Sequence, residues 1–359
     1  MRQVPCRGTL PNRDRHDDSK MKALVLHQLQ TPLTLQERPD LDPPADGVVV
    51  CVKAASLNRR DHWITQGMYP GIQLPVVLGS DASGVVIKTG ARVGNYWQNR
   101  AVIINPGQQW GDNPAFQADD FHITGMPSDG AFATQMVVPV SQLHEKPLHL
   151  DWRQASALPL SGVTAFRALF TQGKAEKGSR VLITGIGGGV ASFALQFAVA
   201  AGAEAWVTSS SPLKIDQAIA LGANGGFNYK DDAWPQRAIQ DAGQFDLIID
   251  GAGGPGYADL LKVAASGGTI VSYGATTGAP DKLDLFKVFW KQLRLQGSTM
   301  GSPTDFENMI AFVERHQIVP VIDEVCPLEE GNLALERMQS SRQFGKIVLS
   351  MDPGVDATL

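Results

Sequence analysis

A strand, a glycine cluster and a helix follow one another without a spacer in Arg180-Val-Leu-Ile-Thr-Gly-Ile-Gly-Gly-Gly-Val-Ala191 and the apolar run from Ser192 to Gly202. Val181 to Ile183 read as a buried parallel strand, Gly185, Gly187, Gly188 and Gly189 as the turn, and Phe193, Leu195, Phe197 and Ala198 as the apolar positions of the helix. A turn this rich in glycine has no Cβ to hold backbone N–H groups away from a pyrophosphate. The helix that follows adds unpaired N–H donors and the positive end of its dipole. The segment therefore points to a dinucleotide site on a doubly wound α/β sheet.

A glycine cluster alone is weak, and Gly185-x-Gly187-x-x-Val190 has valine where the simple G-x-G-x-x-G pattern has its third glycine, with Ala191 next. The context strengthens it. Ala205-Trp-Val-Thr208 reads as the second strand, and Ser209-Ser-Ser-Pro-Leu-Lys214 opens a helix that runs to Leu221-Gly222. Ser211 suits the N-cap, Pro212 the first helical position and Gly222 the position past the end. This is a βαβ unit of ordinary length.

The end of that second strand bears on the cofactor. An NAD site usually has an acidic residue there for the ribose 2′-OH. This chain has Ser209, Ser210 and Lys214 instead, with Tyr229 at the end of the next strand, Gly226–Tyr229. Hydroxyls and a cation suit a 2′-phosphate, so NADP(H) is expected; the competing reading makes the serines caps and Lys214 a solvated helix residue. Further strands, Phe245–Asp250, Gly268–Gly274 and Leu293–Met300, each end in glycine or a small polar residue. Ligands lie along the carboxyl ends of an open parallel sheet, which adds Gly251, Gly274, Ala275 and Thr276 to the cofactor candidates. Any one of these glycines has an ordinary turn as its competing explanation.

The chain has 359 residues, 43% of them hydrophobic, enough for two domains with sizeable cores. A net charge of −5 without a basic stripe argues against nucleic acid as a partner. No apolar run approaches a membrane span. Cys6, Cys51 and Cys326 are too few and too scattered for a disulfide framework, which suggests a reducing, cytoplasmic setting. Residues 1–20 are polar, with mixed charges and no apolar core of a signal peptide, and read as a disordered tail before Met21. Residues 21–150 are β-rich and punctuated by Pro and Gly, as in Gly47–Ala55, Val76–Ile87, Arg100–Ile104 and Ala131–Pro139. The polar segment Asn105–Pro114, with Trp110, reads either as a lining of a substrate site or as a surface loop.

Five segments in order carry a family resemblance: Leu57-Asn-Arg-Arg-Asp61 with Gly67-Met-Tyr-Pro70; Gly79-Ser-Asp-Ala-Ser-Gly84; Leu158-Pro-Leu-Ser-Gly-Val-Thr164; the turn at Gly185–Ala191; and Gly345-Lys346-Ile-Val-Leu349. From Met21 onward the chain resembles the medium-chain dehydrogenase/reductase superfamily. The resemblance implies a GroES-like β-rich catalytic domain over 21–150, completed by 318–359, and a Rossmann domain over 151–317. Within that superfamily the zinc-type branch has a Cys ligand where this chain has Asn58, and Gly-His-Glu where it has Gly79-Ser80-Asp81. Its four-Cys lobe falls on Asn105–Asp129, which has no cysteine. His62 remains open as surface residue, core hydrogen-bonder or ligand, although Asp61 and His62 are adjacent and adjacent residues rarely share a metal. No metal site is expected, and Asn58-x-x-Asp61 is similar to the zinc-independent quinone oxidoreductase branch.

That resemblance implies hydride transfer from NADPH to a small electrophile, a quinone or an alkene conjugated to a carbonyl, which accepts hydride without a strong Lewis acid. Asn58, Asp61 and Tyr69 are the implied catalytic residues. Asn58 would donate to the substrate oxygen or the ribose, Tyr69 would donate a proton or hydrogen bond, and Asp61 would orient neighbours such as Arg60. Thr164 and Lys346 join Gly185, Gly187, Gly188, Gly189 and Val190 as implied cofactor contacts. A homodimer through the Leu293–Met300 sheet edge is implied as well. Two other readings stay open, alcohol dehydrogenase-like carbonyl chemistry and an NADPH-binding protein without turnover.

Overall fold

A computed structural model describes residues 20–352. The expected N-terminal tail lies outside the described residues except for Lys20, which opens the first strand, Lys20–Leu26. Contacts divide the described residues into two units, 20–160 with 322–352, and 161–321.

The first unit is built on strand Gly47–Ser56, in which every residue but Lys53 is buried. A strand buried on both faces loses the polar alternation of a half-exposed one, as Val-Val-Val-Cys-Val shows. It is the hub of a seven-stranded sheet. Asp81–Thr89 and Gln135–Pro139 pair antiparallel with it. Ala101–Ile104 and Leu143–Glu145 extend the sheet beyond Asp81–Thr89. On the other side the C-terminal strand Lys346–Ser350 pairs antiparallel with Gly47–Ser56 and parallel with Ile322–Pro327. A separate three-stranded sheet contains Thr34–Pro39, Lys20–Leu26 and Val76–Val77. One hydrophobic cluster, with Leu24, Leu26, Val50, Leu78, Phe132 and Leu349, joins these strands.

Helix Trp152–Ala157 differs from the sequence reading, which put it in the second domain. Its capping box at Asp151 starts it, and Trp152 and Ala157 then pack with Ala54 and Val348 of the first unit's sheet. Ser56 and Ser83 hold its backbone, donating to Ser156 O and Trp152 O.

The second unit contains a six-stranded sheet, all parallel, in the order Gly225–Asn228, Glu204–Ser209, Arg180–Ile183, Phe245–Asp250, Ala264–Ser272, Arg294–Gly297. Numbered along the chain this is 3-2-1-4-5-6, the order that leaves a crevice where the winding reverses, next to Arg180–Ile183. The helix after the glycine turn is Gly189–Ala200. The next, Pro212–Ala220, has Ser211 at its N-cap and proline in its first turn, as its sequence suggests. A buried ion pair, Arg167 Nη1 to Asp305 Oδ2 at 2.5 Å, ties helix Pro303–His316 to the segment Arg167–Gln172. Among the described residues no helix is long and apolar enough to cross a membrane.

Candidate functional site

The second unit supplies an open cradle. Gly185 has φ +63°, a left-handed conformation that glycine adopts at no steric cost. A Cβ built on Gly185 or Gly188 meets nothing within 4 Å, so the space above the turn is open. The turn itself is fixed: Gly185 N–H donates to Thr208 Oγ1 and Ile186 N–H to Thr208 O. Thr184 Oγ1 donates to Asp250 Oδ1 at 2.6 Å, and Asp250 in turn accepts from the N–H groups of Ala252 and Gly253. The helix opens on Gly188 with no side-chain cap, which leaves N-terminal donors for an anion. Open space, fixed turn and uncapped helix fit a dinucleotide phosphate, with Gly187, Gly189 and Val190 in the same segment.

At the ends of the next strands the candidates separate. Ser209 is buried and its Oγ accepts from Ser211 N–H, so it serves the turn. Ser210 is exposed, and Tyr229 is exposed directly after strand Gly225–Asn228. Lys230 Nζ stands 5.6 Å from the Tyr229 ring centre. Sequence reasoning missed this cation, although it is the next residue after Tyr229. Lys214 lies in the first turn of helix Pro212–Ala220. Gly251 has a packing reason of its own, because a Cβ there would run into the Tyr273 ring at 2.4 Å. Thr276 Oγ1 donates to Gly251 O, which joins Gly251 to the Gly274-Ala275-Thr276 turn. Thr164 is buried, with Oγ1 4.0 Å from Met300 Sδ.

The first unit holds a different kind of centre. Helix Arg59–Thr65 buries Arg60, Asp61 and His62, against the rule that charged residues stay in water unless paired. Asp81, 0% exposed, is the hub. Its Oδ2 accepts from Asn58 Nδ2 at 2.8 Å, Lys346 Nζ at 3.1 Å and Ser56 Oγ at 3.1 Å, and its Oδ1 accepts from Leu160 N–H at 2.8 Å. Lys346 Nζ also donates to Asn58 Oδ1 at 2.7 Å. The Asn58 amide is thereby oriented, oxygen toward the ammonium and nitrogen toward the carboxylate. Lys346, expected among the cofactor contacts, belongs to this buried group. Ser80 and Asp81 entered the sequence reading only as the pair that replaces the zinc branch's His-Glu, without a role of their own, and Ser56 did not enter it; no local pattern joins Asp81 to Lys346, which lies 265 residues away in the chain.

Arg60 forms the second half. Its Nη1 donates to Ser80 Oγ at 2.7 Å and Thr124 O at 2.9 Å, and its Nε reaches the Tyr69 hydroxyl at 3.4 Å. The guanidinium carbon stands 5.0 Å from the Tyr69 ring centre. Asp61 Oδ2 accepts from Asn58 N–H at 2.7 Å, while Asp61 Oδ1 is buried with no hydrogen-bond partner. Burial pushes the Asp61 carboxyl up to about 6; the charge of Arg60 opposes this, that of Asp81 reinforces it and that of Lys346 opposes it. Burial, then the charge of Arg59, pull His62 below the ordinary imidazole range. Trp110 is buried within its own loop, its Nε1 donating to Asn113 O and its ring edge-on to Phe121.

Among the described residues no three His, Cys, Asp or Glu side chains converge to hold a metal. A zinc site takes such groups in fours, or in threes with an open position. Asp81 is already saturated by an ammonium, an amide, a hydroxyl and a backbone N–H. The residues at this centre do not fit zinc.

Two family models match in chain order, an alcohol dehydrogenase GroES-like domain over 44–148 and a zinc-binding dehydrogenase over 189–315. The zinc-type alcohol dehydrogenase-like protein YogA of Leptosphaeria maculans is 33% identical over 344 residues, 90% of this chain and 96% of that one. A crystal structure of an NAD-dependent alcohol dehydrogenase superposes with a TM-score of 0.87 at 32% identity, covering 92% of this chain and all of the other. The 2-octenoyl-CoA carboxylase/reductase CinF, solved with NADP and 2-octenoyl-CoA, superposes with a TM-score of 0.84 at 27% identity, covering 96% of this chain and 91% of CinF. With a GroES-like unit, a parallel sheet in Rossmann order and relatives matched over nearly their whole length, the chain belongs to the medium-chain dehydrogenase/reductase superfamily and is an oxidoreductase.

Proposed function

We propose that the chain reduces a small electrophile, an alkene conjugated to a carbonyl or a quinone, with hydride from NADPH and without a metal. The observation that carries this reading is the filled centre around Asp81, whose oxygens are taken up by Lys346, Asn58, Ser56 and Leu160 N–H. A plain ketone needs strong polarisation, often supplied by a metal; a conjugated acceptor spreads the incoming charge over its own oxygen and needs less. CinF, with its bound 2-octenoyl-CoA and NADP, supports the conjugated class.

Bound NADPH supplies the hydride. Gly185 to Val190 bind its pyrophosphate, and Ser210, Lys214 and Tyr229, with no acid at the end of strand Glu204–Ser209, favour the 2′-phosphate. Gly251, Gly274, Ala275, Thr276 and Thr164 keep room for the nicotinamide end. Asn58 and Tyr69 present hydrogen bonds to the substrate, and Asp61 holds Asn58 through its backbone N–H.

The test is NADPH oxidation, followed by absorbance, with a benzoquinone and a simple enone after dialysis against chelator. Turnover with NADPH well ahead of NADH, on metal-free protein, is the expected result. Activity lost on chelation, with about one zinc bound per chain, would replace this reading by alcohol dehydrogenase chemistry, the alternative favoured by the YogA and NAD-dependent relatives. Cofactor binding without turnover on any acceptor would leave a binding protein.

We also propose a homodimer through the sheet edge. Arg294–Gly297 is exposed along its whole length, and the preceding helix, Leu285–Trp290, exposes Leu285, Phe286, Phe289 and Trp290. A bare edge beside an aromatic patch is a natural site for pairing with a second copy. Light scattering at the mass of one chain ends that idea.

A further inference from the structure

We propose that Arg60 and Lys346 are two built-in cations that stand in for a divalent metal in the first unit. The inference rests on the reductase reading above. It starts from a replacement: where the zinc-type branch has its Cys and His ligands this chain has Asn58 and Ser80, and each accepts a hydrogen bond from a buried side-chain cation.

Each cation is buried, with Arg60 7% and Lys346 3% exposed. Each donates at 2.7 Å to one neutral oxygen, Arg60 to Ser80 Oγ and Lys346 to Asn58 Oδ1. Together they carry two positive charges, as a divalent ion would, set against the carboxylates Asp61 and Asp81. Their charges meet at Asp61, which feels Arg60, Asp81 and Lys346 at once. They come from distant parts of the chain, helix Arg59–Thr65 and strand Lys346–Ser350, so the pair exists only in the folded first unit.

Fixed positive charge in a dry site stabilises negative charge that grows on a substrate oxygen during hydride transfer. Arg60 acts through the groups it touches, the Ser80 hydroxyl and the half-buried Tyr69 hydroxyl, whose oxygens accept from it and whose protons are thereby turned away from it. Lys346 acts through Asn58, polarising the amide from its oxygen side while Asp81 holds the nitrogen side. Arg60 and Lys346 are therefore positioning residues, and neither gains nor loses a proton in the reaction.

The test uses the full chain. Arg60→Ala and Lys346→Ala are assayed for NADPH oxidation with an enone, alone and with millimolar guanidinium or methylammonium. The expected result is a kcat loss of about a hundredfold in each, with KM for the enone moved by less than about threefold. Guanidinium restores Arg60→Ala and methylammonium restores Lys346→Ala, each without helping the other. Arg60→Lys and Lys346→Arg, which keep the charge and the fold, retain turnover well above the alanine forms. Independently of turnover, equilibrium dialysis of the wild type with Zn²⁺ or Co²⁺ finds no stoichiometric binding. A wild type that binds one such ion per chain overturns the inference even if it turns over no acceptor. So do alanine variants with unchanged kcat, or folded charge-keeping variants as inactive as the alanine forms. A wild type that fails to oxidise NADPH yet binds no metal overturns the reductase reading alone.

Discussion

Two buried carboxylates, one in each unit, have opposite fates. Asp305 in the second unit has both oxygens engaged: Oδ1 by Thr171 Oγ1 at 2.6 Å, Oδ2 by Arg167 Nη1 and by the N–H and Oγ of Ser302. Burial pushes its carboxyl upward, but the hydrogen bonds from Thr171, Ser302 and Arg167 outweigh it and hold the group below the usual range. Asp61 in the first unit has one oxygen bonded and one orphaned, and burial carries it up to about 6. A saturated carboxylate is a fastening. An unsaturated one has been kept at a cost, and such costs collect at functional centres.

The comparison breaks first at Asp305. Asp305→Ala leaves Arg167 buried without its counter-charge, so denaturant melts should show a loss of about 3–5 kcal/mol. A loss below about 1 kcal/mol would mean the pair is no more than a surface-like contact. Next comes Asp61. Its folded pKa lies above the value in an unfolded chain, so the folded state holds the proton more tightly and stability falls as pH rises between the ordinary carboxyl value of 3.8 and about 6. The drop amounts to about 3 kcal/mol for that interval. Asp61→Asn keeps an acceptor for Asn58 N–H and removes the titration. The variant should be more stable than wild type at pH 8, by up to that amount, and show no advantage near pH 4. Equal pH profiles for the two proteins would show that Asp61 is not strained. Asp305 runs the other way: its contribution is present above the unfolded carboxylate pKa and is lost as pH falls through its lowered folded value.

Two smaller effects sharpen the contrast. Tyr69→Phe removes a 3.4 Å hydrogen bond from Arg60 and leaves the ring beside the guanidinium. Thermal melts should shift by less than about 1 kcal/mol equivalent, while turnover drops if the hydroxyl serves the substrate. Trp290→Ser, on the exposed helix Leu285–Trp290, should change monomer stability by no more than about 0.5 kcal/mol. Its effect belongs in the concentration dependence of the mass, and a variant that associates as wild type does would remove that helix from the proposed interface.

The same contrast governs what the sequence discloses. The glycine turn, the Ser211-Pro212 helix start and the parallel strands are legible because each answers a local need: a left-handed φ at Gly185, a cap, a short buried apolar run. The first unit's centre answers no local rule. Asn58, Asp81 and Lys346 meet only through sheet pairing between strands from opposite ends of the chain, and without the family resemblance only their odd polarity would have marked them. Helix Trp152–Ala157 was given to the wrong neighbour for a related reason: its residues show that it is a helix, but its partners, Ala54 and Val348, lie far away in sequence. Lys230 was missed beside Tyr229 because a lysine on the surface has no distinguishing pattern.

The strand Lys346–Ser350 lies inside the first unit's sheet, between Gly47–Ser56 and Ile322–Pro327. Synthesis runs from the other end. As the chain leaves the ribosome, residues 161–321 are complete as a unit while the sheet begun by residue 20 still lacks an interior strand. Domains tend to fold as they emerge, so the second unit is able to form first, and the half-built sheet must wait for the last strand. Asp81 stays without its ammonium for the same interval. Assembly of the centre around Asp81 is therefore among the final events in the synthesis of the chain, and a protein stalled or clipped before Lys346 would have its second unit complete while Asp81 lacked the ammonium it pairs with.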